Sequence, residues 1–100
     1  MLTAILLALG TAALAVVVVA YLNWEKLFNW IRGYEKLVEA DRDNLAFSLK
    51  EAIDNGKYNV IHGVFNKRSG KIVKGTKVQA DTLAPEVLDA HADDLILYPA

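Results

Sequence analysis

The chain has 100 residues, enough for one small domain, and its 11 Lys/Arg against 12 Asp/Glu leave a formal charge of -1. That balance gives no general reason to expect a nucleic-acid partner. The absence of cysteine excludes disulfides, thiolate metal sites and cysteine nucleophiles together.

Every charged residue lies at or beyond Glu25. Residues 2–22 are Leu, Ala, Val and Ile, relieved by Thr3, Gly10, Thr11 and Tyr21. At roughly 1.5 Å per residue a helix of this length covers about 31 Å, the thickness of a bilayer's hydrocarbon core. The sequence therefore predicts a transmembrane anchor over residues 1–23. Tyr21, Trp24, Phe28 and Trp30 then stand where interfacial aromatics belong, in contact with membrane lipids. A cleaved signal peptide fits less well. Ala13-Leu14-Ala15 resembles a cleavage site, but no basic residue precedes the apolar run, which continues through Val16–Ala20. Lys26, Arg32 and Lys36 follow the run and none precedes it, which orients a single-pass protein with its C-terminal tail in the cytoplasm. The bacterial inner membrane suits that arrangement. Gly10 and Thr11 among alanines form a small-residue patch suited to helix pairing.

Residues 24–55 read as an amphipathic helical segment. Trp24, Leu27, Phe28, Trp30, Ile31, Tyr34, Leu37 and Val38 share one half of a helical wheel, and Glu25, Lys26, Asn29, Arg32, Lys36 and Glu39 share the other. The apolar half suits a membrane surface, a partner helix or the tail's own core. A sevenfold spacing through Trp24, Ile31, Val38, Leu45 and Ala52 hints at a helical seam, but its companions Asp41 and Ser48 are polar. Asp41-Arg42-Asp43-Asn44 looks like an interruption that caps a second helix, running to about Asp54 and stopping at Asn55-Gly56.

Residues 56–100 read as a small β-rich module. Tyr58–Phe65 and Lys71–Val78 form a hairpin around the turn Asn66-Lys67-Arg68-Ser69-Gly70. A short helix begins at Pro85, and Leu95–Tyr98 is a final strand ended by Pro99. The fold class expected is thus α+β: an N-terminal transmembrane helix, amphipathic juxtamembrane helices, and a hairpin, helix and strand. About 45 residues rarely bury enough surface to stand alone, so the module should pack on other structure, a protein partner or copies of itself.

Lys67, Arg68, Lys71, Lys74 and Lys77 are candidate contacts for an anionic ligand or lipid headgroup. The plainer account is that Lys on an edge strand resists aggregation. His62 and His91, even with Asp89, Asp93 and Asp94, have no metal-ligand spacing, and Ser48 and Ser69 lack a nucleophile context, so no metal, cofactor or enzymatic activity is expected. The leading expectation is a non-enzymatic membrane accessory or scaffold protein that presents its tail to a partner complex or to its own copies. The alternative is a membrane-tethered sensor reading an anionic ligand through the basic hairpin.

Overall fold

The computed structural model describes residues 1–53 and 56–98. The uncharged N-terminal run does not form one long helix. It forms α1 (Leu2–Leu9), turns through Gly10 and Thr11, and continues as strand β1 (Ala15–Leu22). Among the described residues no helix is long and apolar enough to cross a membrane. The expected transmembrane helix, and with it the single-pass placement in a bacterial inner membrane with a cytoplasmic tail, is therefore corrected. The physical reason lies in the second half of the run. Val16–Val19 are β-branched, stiff at χ1 and better suited to a pleated sheet than to a helix.

The chain continues through α2 (Trp24–Arg32), α3 (Glu35–Ala40), β2 (Asn44–Ala52), β3 (Tyr58–Asn66), β4 (Lys71–Leu83), α4 (Pro85–Ala90) and β5 (Leu95–Tyr98). The five strands make one sheet in the order β1-β4-β3-β2-β5. β1 runs parallel to β4, and the other neighbours are antiparallel. The N-terminal run, the middle segment and the hairpin module therefore each give strands to the same sheet.

The expected second helix is also corrected: residues 44–52 are strand β2, while its expected end at Asp54-Asn55 lies outside the described residues. The stretch alternates Leu45, Phe47 and Leu49 with Ala46 and Ser48, and it is flanked by β3 and β5. Pairing on both sides overrides the helix-forming character of its Leu, Ala, Lys and Glu. The hairpin, the short helix from Pro85 and the last strand occur where the sequence places them; Pro99 lies outside the described residues. Two residues in the hairpin explain its shape. Gly70 sits at φ +70 in the turn, which Asn66 closes by accepting from the backbone N–H of Arg68 and Ser69 at 3.1 and 2.8 Å. Gly63 lies so close to β4 that a Cβ there would collide with the Lys74 carbonyl oxygen and come within 2.8 Å of the Gly75 Cα.

The sheet's two faces are covered unequally. One face carries α2, α3 and α4, with Leu27, Ile31, Tyr34, Val60, Val64, Val78 and Val87 in its core. The amphipathic α2 thus spends its apolar side on the domain's own sheet. Asn23 caps it, accepting from the Lys26 N–H at 2.8 Å. Among the described residues the other face has only α1, whose Ile5 and Ala8 pack over Phe47, Leu49, Ile61 and Phe65.

Candidate functional site

The covered face contains a belt of buried polar groups. Ser48 on β2 and His62 on β3 are directly opposed, and Thr76 on β4 is opposed to His62. The Tyr34 hydroxyl meets His62 Nδ1 at 2.7 Å, and the Trp30 ring stacks on the imidazole with centroids 4.9 Å apart. With Tyr34 donating, His62 Nε2 has no hydrogen-bond partner among the described residues. Burial pushes the His62 pKa down to about 4. The same burial raises the Tyr34 phenol above its ordinary value, partly offset by a hydrogen bond with Thr76.

A second chain of hydrogen bonds runs beside the first. His91 Nδ1 donates to the Val87 carbonyl at 2.7 Å, which leaves Nε2 to accept from the Ser48 hydroxyl, also at 2.7 Å. Ser48 Oγ in turn accepts from the Tyr98 hydroxyl at 2.7 Å. Burial lowers the His91 pKa and raises that of Tyr98. A serine beside an imidazole oriented through its other nitrogen has the geometry of an activated nucleophile. Here Ser48 and His91 are both wholly buried, so a substrate reaches Oγ only if α4 or β5 moves away. As folded, the two chains tie α2–α3 and α4 to the sheet. Sequence reasoning found no histidine near Ser48, because His91 is 43 residues away along the chain.

The sequence-derived aromatics divide between core and surface. Trp24 and Trp30 pack against the covered face. Phe28 stacks on Trp24 at 6.1 Å and lies under the Arg32 guanidinium at 5.2 Å. Tyr21 is exposed on β1. The hairpin cations are not brought together. Arg68 is held by Asp41 at 3.1 Å and Asp43 at 3.5 Å. Lys77 faces the α1 side, lining a groove with Leu6 and Ile61, whereas Lys74 is opposed to Val64, which belongs to the other face. Lys67 lies in the turn and Lys71 opens β4. Among the described residues no group of His, Asp and Glu is placed to hold a metal ion.

The sheet's edges show a sharper asymmetry. β5, at one edge, is four residues long and follows Asp93 and Asp94. Short strands and flanking charge are the usual protections of an edge. β1, at the other edge, is eight residues long and uncharged. Its Val18 is 71 % exposed and its Val16 56 %, and Leu7 on the neighbouring α1 is 72 % exposed. Between α1 and the strand runs a groove of about 400 Å³ lined by Leu6, Leu9, Leu14, Val16 and Ile61 and by the charged Glu51 and Lys77. Sequence reasoning saw this apolarity and assigned it to lipid; the position of β1 at an open edge was beyond its reach.

Compared with known protein families, characterised proteins and solved structures, the chain matches none.

Proposed function

We propose that the chain is a non-enzymatic assembly module, a small α+β domain that joins another chain by offering the free edge of β1 for strand addition. The observation that carries this reading is the contrast between the two edges. A long, uncharged, apolar edge strand left uncovered is a template for another strand: main-chain hydrogen bonds supply affinity and the alternating side chains supply selectivity. Exposed apolar side chains on α1 and β1, Leu6, Leu7, Val16 and Val18 among them, add apolar surface beside that edge, and exposed apolar surface of this kind marks an interaction site. An anionic ligand held by the hairpin cations has less support, because Lys74 and Lys77 stand on opposite faces and Arg68 is paired with two aspartates.

The experiment is a lysine placed in the middle of the edge. Val18→Lys, in the full chain expressed in its own cells, should convert a high-mass species on a native gel to the monomer while the circular dichroism of the purified variant matches wild type. Equal migration of variant and wild type would refute the assembly role of β1.

A further inference from the structure

Resting on the reading of β1 as the interaction edge, we propose that its occupant is a second copy of this chain, paired β1 to β1 in antiparallel register about a twofold axis at Val18. A twofold interface must be complementary to itself, since both copies use the same patch and residue i meets j as j meets i. β1 meets that condition. With no charged residue in positions 1–23, no like charges oppose each other along the paired strands, and nothing on the strand selects a charged partner.

The register follows from the side chains. An axis at Val18 sets Val18 against Val18, Val17 against Val19 and Val16 against Ala20. These central pairs are β-branched or small, and the same register sets Ala15 against Tyr21; β-branched and aromatic cross-strand neighbours stabilise antiparallel ladders. Val18 is also the most exposed of the large apolar residues on the strand. Parallel pairing with β4 uses the backbone groups on one side of β1 only. Every second residue directs its N–H and C=O outward, and an antiparallel copy satisfies them.

The topology also explains why assembly would stop at two. Joining β1 to β1 makes one sheet ordered β5-β2-β3-β4-β1-β1-β4-β3-β2-β5, with the short β5 at both ends. The open edges consume each other and the blunted ones remain, so the assembly closes.

The native chain has no cysteine, so single cysteines report on the interface cleanly. Directly opposed antiparallel residues have Cα atoms roughly 4.5–5.5 Å apart, within reach of a disulfide. Val18→Cys in the full-length chain should therefore form a cross-linked dimer under mild oxidation. Val73→Cys, exposed on β4 away from the edge, should cross-link only by random collision. Sedimentation of the untagged wild type at micromolar concentration should give a dimer, and Val18→Lys a monomer with unchanged circular dichroism. A monomeric wild type, or a dimer in which Val18→Cys cross-links no faster than Val73→Cys, overturns the paired copy. The broader edge reading fails separately: it falls if Val18→Lys leaves every assembly of the protein in cell extract intact, and it survives if wild type is monomeric when pure but enters a Val18-dependent complex in extract.

Discussion

Mild acid should loosen this domain through His62. The imidazole is 1 % exposed, stacked on Trp30 and bonded to the Tyr34 hydroxyl. Burial lowers its pKa from 6.5 to about 4. The folded state thus binds this proton less readily than the unfolded chain. The His62 contribution is fully present above pH 6.5, falls as the unfolded chain takes up its proton, and is gone once pH drops through about 4. At about 1.36 kcal/mol per pKa unit the loss is about 3 kcal/mol, a large fraction of the net stability of a small domain. His91, whose pKa burial also lowers, adds to the loss in the same direction. Urea unfolding followed by circular dichroism at steps across this window measures the slope. His62→Phe preserves the stack on Trp30 but takes no proton, so its acid slope should be shallower than that of wild type, with His91 contributing to what remains. Identical slopes for the two proteins, or a His62 ring that titrates near 6.5 by NMR, would refute the reasoning.

Other consequences are simpler to check. Gly63→Ala drives a methyl group into the β4 backbone at Lys74 and Gly75. It should cost about 3 kcal/mol, read as a lowered thermal midpoint. Asn23→Ala removes the N-cap of α2, whose 2.8 Å bond to Lys26 N–H it supplies, and should cost about 1 kcal/mol in urea unfolding. Charge reversal at Lys74 should leave the sedimentation coefficient unchanged, in contrast to Val18→Lys, because Lys74 stands on the face opposite the groove.

The parts of the fold written in local signals were legible. The hairpin, with Asn66 and Gly70 at its turn, the Pro85 helix start and the apolar half of α2 all follow from short-range chemistry. What failed were the two places where neighbours decide. A continuous apolar run has no period to separate a buried helix from a strand. Residues 2–22 read as one span because their length suited a bilayer, although the β-branched Val16–Val19 carried the strand signal. Residues 44–52 have helix-forming composition, and their alternation acquires meaning only with β3 and β5 on either side. The site divides in the same way. The apolarity of the N-terminal run was visible, but its exposure at a sheet edge depends on a strand order set by contacts far apart in sequence. The pairings of Tyr34 with His62 and of Ser48 with His91 span 28 and 43 residues, and no local spacing encodes them.

An assembly role for β1 requires a strand with one side taken and one side open, and residue-level amide hydrogen exchange reads this directly. In dilute solution, protection along residues 15–22 should alternate, with every second amide shielded by β4 and its neighbours exchanging freely. Raising the concentration should shield the second set as well. Uniform protection with helical carbon shifts across the stretch, or an outward-facing set that stays open at every concentration and in extract, would contradict it.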